Sequence, residues 1–139
     1  LASLLAAGGG CDDPVTLVEE MLRHDSPLHL FERTATHDTL VDGIPIRAGE
    51  KIAALLGAAN RDPAVFEDPD TFLPGRDPNP HLAFGAGIHF CVGAPLARLE
   101  LATSAGVLLG RWPRLQVVEA VRRPTFVLRG YERLVVAPA

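Results

Sequence analysis

Cysteine is scarce in this chain: Cys11 and Cys91 are the two among 139 residues. A single pair cannot make the disulfide framework on which small secreted folds depend. Both read as free thiols of a reducing compartment, or as one functional thiolate and a bystander. Neither a C-x-x-C pair nor a spaced histidine pair is present, so a zinc site from Cys91, His89 and His81 lacks the usual spacing. Basic charge is not in excess. Thirteen Lys and Arg face 17 Asp and Glu, a net charge of −4 with His neutral. Phosphate binding needs a basic surface, so nucleic acid is not expected as the main partner. No apolar run approaches ~18 residues, and no transmembrane helix is expected. The first residues, Leu1 to Ala7, lack a basic flank and make a poor signal peptide. They read as the last turns of a helix stopped by Gly8-Gly9-Gly10, which suggests a piece of something longer.

What is present is ordinary for a folded chain. Apolar residues make up 47% of it, enough to argue against disorder. The length fits about one domain, able to bury roughly two-thirds of its unfolded surface. Asp13-Pro14 starts a helix, with Asp as N-cap and Pro at the first helical position. Val15, Val18, Met21 and Leu22 recur at helical spacing, and Asp25-Ser26-Pro27 ends the run. Residues 28–36 alternate and read as a strand. Asp42-Gly43, between Thr39-Leu40-Val41 and Ile44-Pro45-Ile46, reads as a tight hairpin turn. Lys51 to Ala59 is ambiguous between strand and helix. The proline-rich stretch 60–80 carries Val65, Phe66, Phe72 and Leu73, too apolar for a linker. Pro95 opens a long amphipathic helix from Leu96 to about Gly110. After Leu115 to Val118, a hairpin with arms Thr125 to Leu128 and Arg133 to Val136 closes the chain. Pattern alone gives an α+β fold in one domain or part of one.

Cys91 has an unusual setting. Gly85, Gly87 and Gly93 surround it, and a helix begins three or four residues later. Glycines admit backbone conformations closed to other residues and let a ligand approach closely. A helix N-terminus favours thiolate over thiol, a dipole effect of ~0.3–1 kcal/mol. Three readings are open from these residues. Cys91 could be a structural cysteine in a turn. It could be a nucleophile with His89 as base, although no third group is evident to orient the histidine. Or it could be an anionic sulfur facing something flat or bulky.

The run Phe84-Gly85-Ala86-Gly87-Ile88-His89-Phe90-Cys91-Val92-Gly93 resembles the haem-ligand loop of the cytochrome P450 family, F-G-x-G-x-H-x-C-x-G. Glu20-Met21-Leu22-Arg23 resembles the family's E-x-x-R helix. Ala59-Asn60-Arg61-Asp62-Pro63, Phe66, Asp68-Pro69-Asp70, Arg76 and His81-Leu82-Ala83-Phe84 are similar to the stretch before the cysteine in soluble bacterial members. Ala94 to Glu100 is similar to the helix after it. The resemblance runs in order from about Val15 to the C-terminus. It implies the family's mainly α fold with small antiparallel β hairpins, of which residues 1–139 would be the C-terminal, haem-ligand portion.

By that resemblance Cys91 is the axial thiolate on the iron of haem b (iron protoporphyrin IX), a ligand that favours O–O cleavage. Phe84 shields the sulfur, and Gly85, Gly87 and Gly93 let the loop bulge toward the metal. Arg33 and His89 bind haem propionates; by residue type alone they are a solvated strand arginine beside Glu32 and a surface histidine. Glu20 and Arg23 form a buried network with Arg76 that supports the cysteine loop; taken alone they are an exposed helix pair worth ~0.2–0.5 kcal/mol. Leu28 to Phe31, and the tip near Arg129-Gly130, touch substrate. Arg98 and nearby arginines receive a ferredoxin-type electron donor, although a solvated helix face explains Arg98 equally well.

The activity implied is that of a haem-thiolate monooxygenase. It would hydroxylate a small organic substrate with O₂ and electrons from a ferredoxin or ferredoxin-reductase-type donor, as a cytoplasmic monomer when complete. Family members are much longer. The helix carrying their oxygen-activating acid-alcohol pair has no counterpart here: the nearest candidate, Asp38-Thr39, falls in the expected hairpin. The alternative is therefore a truncated or degenerate haem-binding fragment without oxygen chemistry.

Overall fold

The computed structural model describes residues 13–139; the expectations for Leu1 to Ala7 and for Cys11 lie outside the described residues. Helix α1 spans Pro14–His24 and starts as its sequence demands. The Asp13 carboxylate accepts from Val15 N–H at 3.0 Å and Thr16 N–H at 3.4 Å, filling donors that the first turn leaves open. Ser26 Oγ donates to the Leu22 carbonyl at 2.7 Å and closes the far end.

Four short strands follow: β1 Phe31–Thr34, β2 Thr39–Val41, β3 Ile44–Ile46 and β4 Lys51–Ala54. β1 pairs antiparallel with β4, and β2 with β3. Asp42 and Gly43 both take positive φ, 50° and 77°, the geometry of a two-residue hairpin turn. The strand expected over 28–36 is shorter at both ends. Leu28 instead makes an isolated bridge to Leu128. The ambiguous 51–59 run divides into β4 and a one-turn helix α2, Leu56–Ala59.

Helix α3, Ala94–Arg111, packs on α1. Strands β5 Leu115–Arg122 and β6 Tyr131–Pro138 form the closing antiparallel ribbon. The final hairpin is thus larger than the pattern indicated. Its first arm is Leu115–Arg122, and Thr125 to Leu128 is the connecting loop. There the Leu28–Leu128 bridge and the 2.9 Å bond from His29 N–H to the Val127 carbonyl tie the loop to the end of α1. Long-range pairing took those residues out of the ribbon. The architecture combines helices with small two-stranded antiparallel sheets.

The core lies between α1 and α3. Leu17, Val18 and Leu22 meet Ala83 and Ala105, with Met21, Phe72, Phe84, Ala102 and Leu109 packed around them. Helix α3 does not divide into one apolar and one polar side. Only Ala94 and Ala105 are buried, whereas Leu96, Leu99 and Val107 are 60%, 64% and 67% exposed. A helix apolar on most of its circumference is suited to cover on more than one side. Among the described residues no helix is long and apolar enough to cross a membrane.

Polar burial organises the proline-rich stretch. Arg23 and Glu20 are 1% and 0% exposed, and all five Arg23 N–H donors are engaged. Two bonds, both 2.7 Å, go to the Glu20 carboxylate; the others go to the carbonyls of Asn60, Pro69 and Thr71. Glu20 also accepts from Leu73 N–H, Arg76 Nε and Asn79 Nδ2. Asn60, wholly buried, donates to Ser26 Oγ and accepts from Leu82 N–H. Residues 60–82 therefore hold their shape through side chains of α1, through their own Asn60 and Arg76, and through local turns, without a strand ladder. Arg23→Ala takes two charge-assisted bonds from the buried Glu20 carboxylate, which keeps Leu73 N–H, Arg76 and Asn79, and takes the Arg23 donors from the carbonyls of Asn60, Pro69 and Thr71. It is expected to destabilise the chain by about 3–5 kcal/mol, read as a fall in the urea midpoint.

Candidate functional site

The cysteine loop is built by hydrogen bonds to its own backbone. Gly85 N–H donates to Leu82 O at 2.9 Å, Phe90 N–H to Gly87 O at 3.1 Å, and Cys91 N–H to Phe84 O at 3.0 Å. The last of these closes residues 84–91 into a ring. Gly85 and Gly87 have φ of 71° and 68°, inside the left-handed region that an L side chain resists. Gly93 differs from expectation. Its φ of −83° is open to any residue, and it caps α3. A Cβ there would sit 3.8 Å from Cys91 Sγ, so what Gly93 gives is room beside the sulfur and no special backbone.

That contact places the sulfur next to the N-terminus of α3. Cys91 is a free, exposed thiol. Its neighbours Ile88 and Val92 are 97% and 99% exposed, and Phe90 is half-exposed. Among the described residues no hydrogen bond joins His89 to Cys91, so the thiol–base pair that a nucleophilic cysteine needs is not formed. A lone accessible sulfur in an apolar surface suits a soft-ligand site that takes a flat, apolar group.

Arg33 lies beside this loop by way of an aromatic ring. Its guanidinium stands 4.3 Å from the Phe31 ring centroid, and Phe31 carbons lie 3.9–4.0 Å from where a Cβ of Gly85 would be. Arg33 is exposed and uses Nη1 on the neighbouring Glu32 carbonyl. His89 is exposed at the end of a 3-10 turn, Gly87–His89. Both keep surface available for carboxylates. Phe84 packs half-buried against the core, with its ring 6.4 Å from Phe90 and 4.8 Å from the Arg98 guanidinium.

Arg98 is held in place and is not a loosely solvated side chain, with about a third of it exposed. It clasps Glu19 side-on, Nε to Oε1 at 2.7 Å and Nη2 to Oε2 at 2.9 Å. His81 Nε2 lies 2.9 Å from the same carboxylate. Nothing local in the sequence signals this cluster: Glu19 and Arg98 are brought together by α1 packing on α3. Asn60 was legible only as part of a longer resemblance. Arg76 joins the other cluster, 3.3 Å from Glu20, and bonds the carbonyls of Glu67, Asp68 and Thr71.

The comparisons with known proteins agree with this arrangement. A family model described as Cytochrome P450 matches residues 16–126. The chain belongs to the cytochrome P450 family. It is 48% identical over 121 residues to the biotin biosynthesis cytochrome P450 of Bacillus subtilis, covering 86% of this chain and 31% of that protein. It is 40% identical over 119 residues to Cytochrome P450 119 of Sulfolobus acidocaldarius, again 86% of this chain and 32% of the relative. The chain thus spans about a third of the length of these curated relatives. Among solved structures, P450BioI in complex with an acyl carrier protein ligated to hexadec-9Z-enoic acid superposes with a TM-score of 0.85 at 47% identity. That match covers 88% of this chain and 32% of the other. A Bacillus megaterium cytochrome P450 solved with testosterone gives 0.85 at 36% identity, covering 89% and 35%.

The P450 chain resists protonation at one buried and several half-buried groups. Burial pushes the Glu20 carboxyl up, but the bonds from Arg23, Leu73 N–H and Arg76 outweigh it and hold the group below its ordinary 4.5. Glu19 is held low in the same way, against burial, by Arg98 and His81. Burial holds His81, His24 and His29 below their ordinary 6.5. For every one of these groups the unfolded chain binds protons more readily than the folded chain. Stability is therefore complete above the unfolded values and is lost as pH falls through them. Denaturant midpoints are expected to be flat from about pH 8 to about pH 7, to decline below about 6.5, and to decline more steeply below about 4.5. Separately, Gly87→Ala puts a side chain at positive φ with no atom within 4 Å to clash. It is expected to cost about 1–2 kcal/mol of backbone strain, read as faster exchange of the Cys91 amide.

Proposed function

We propose that this chain supplies the haem-thiolate side of a monooxygenase site, as the C-terminal portion of a longer P450. The observation that carries the reading is the exposed Cys91 sulfur in a loop closed by its own backbone at the head of α3. Cys91 would hold the iron of haem b from one face, and Phe84 would stand beside the ligand loop. Arg33 and His89 would bind propionates by charge-assisted hydrogen bonds. Bound haem supplies O₂ binding and reduction, and a thiolate ligand favours O–O cleavage.

The protein's own part is positioning. Gly85 and Gly87 allow the loop to turn back on itself. By the family resemblance, backbone N–H groups near the sulfur would tune the thiolate. Ile88, Phe90 and Val92 keep the ligand face apolar. Glu20, Arg23 and Arg76 hold residues 60–79, through which the chain reaches the loop. Leu28 and the loop at Phe126 to Arg129 offer contacts for a small organic substrate. Phe126 and Leu128 are 67% and 64% exposed and stand beside Leu28 through its bridge. Electrons would come from a ferredoxin-type donor, and a cytoplasmic setting fits that supply.

One observation favours a second reading, a haem-binding fragment without oxygen chemistry. Asp38 and Thr39 sit at the start of β2, where Asp38 Oδ1 accepts from Ala48 N–H at 2.8 Å. They are part of a hairpin and offer no proton to a distal oxygen. Haemin added to the chain, then reduced and exposed to CO, separates the possibilities. A strongly red-shifted Soret band that Cys91→Ala abolishes is the expected result. Arg23→Ala is expected to lose the band together with haem uptake. Uptake with a band of the histidine-ligated type would refute Cys91 ligation. A thiolate-type band without O₂ consumption in the presence of a reductant would favour the fragment reading.

A further inference from the structure

Phe84 is gripped from two sides by one polar cluster. On its backbone side, His81 Nδ1 accepts from Ala83 N–H at 3.2 Å, which leaves Nε2 to carry the proton and donate to Glu19 at 2.9 Å. The His81 side chain is 2% exposed, so this geometry has no competition from water. On its ring side, Arg98 lies 4.8 Å from the Phe84 centroid. The plane of that guanidinium is set by the side-on clasp of Glu19, which fixes both orientation and distance. From Phe84 two links run to the cysteine. Its carbonyl accepts Cys91 N–H at 3.0 Å, and its ring meets Phe90 edge-on at 6.4 Å.

We infer that Glu19, His81 and Arg98 are positioning residues for the Cys91 loop, acting through Phe84. Glu19 joins the two grips: His81 holds the backbone entering Phe84, and Arg98 caps the ring. As a half-exposed ion pair the Glu19–Arg98 contact would contribute little to global stability. Its effect is therefore expected in the local order of residues 84–91 and not in the unfolding midpoint. The assignment is separate from the Glu20–Arg23–Arg76 cluster, whose bonds go to residues 60–79. Its bearing on the iron ligand rests on the function proposed above; its structural content does not.

The test is amide exchange by NMR in the haem-free chain, with the Cys91 N–H as reporter and Leu22, buried in α1, as the global reference. Arg98→Gln removes both the clasp and the cap. It is expected to speed Cys91 exchange about tenfold relative to Leu22. Arg98→Lys keeps the charge but not the flat face, and is expected to show most of the same loosening. It also supplies the answer if Arg98→Gln does not fold. Equal acceleration at Cys91 and Leu22, or an unchanged Cys91 rate in both variants, would overturn the inference. Failure of the parent chain to take up haem would count against the proposed function alone, because the exchange is read without haem.

Discussion

A guanidinium and a carboxylate removed from water are tolerable only when every donor and acceptor is matched, and the Glu20–Arg23 pair is matched by loop backbone. This requirement shapes more of the molecule than its small apolar core does. Arg23 reaches carbonyls at 60, 69 and 71, and Glu20 collects donors at 73, 76 and 79. Removing Glu20 leaves the buried Arg23 charge without its carboxylate, and removing Arg23 leaves Glu20 with the longer Arg76 contact in its place. The stretch between α2 and the cysteine loop is thus ordered without regular secondary structure. Its conformation is written on one face of α1.

Adjacent positions on that helix serve different ends. Glu20 and Arg23 look toward residues 60–79, while Glu19 looks toward α3 and His81. A one-turn helix could not present both faces. The capped three-turn helix begun by Asp13-Pro14 is rigid enough to do so. The cysteine loop then depends on α1 in two ways: through the residues that lead into it, and through Phe84, which belongs both to the core and to the ring closed at Cys91.

Local signals were legible where local physics decides. The Asp13 cap and the Asp42-Gly43 turn each follow from one or two residues and lie where the sequence places them; the helix that Pro95 signals from Leu96 begins two residues earlier, at Ala94. The first arm of the closing hairpin is misplaced by pattern because Thr125 to Leu128 is a short run of β-prone residues. Leu128 instead bridges Leu28, a hundred positions away. The i,i+3 spacing of Glu20 and Arg23 reads as a surface pair; only the family resemblance pointed to burial. Arg98 shows what a helix position alone leaves open: its residue type suits a partner-facing or a solvated face, and the Glu19 clasp comes from helix packing. Pair partners across helices carry no sequence signature, so the cluster behind Phe84 was out of reach.

Some of the exposed apolar residues gather at the cysteine loop. Ile88 and Val92 flank the sulfur and Leu96 follows on α3, while Glu19 and Arg98 bridge α1 and α3. The loop is fixed from behind by hydrogen bonds and a stacked guanidinium, and its front is left to whatever covers it. Such an arrangement separates two demands. Geometry at the sulfur is set by polar contacts that do not need the covering group, and affinity for a flat apolar group comes from surface that would be costly to leave wet. A ligand loop positioned by its own apolar front would lose shape whenever that front was bare. In this one Gly85 and Gly87 make the turns and the Phe84–Cys91 bond closes the loop, contacts that lie within the loop itself.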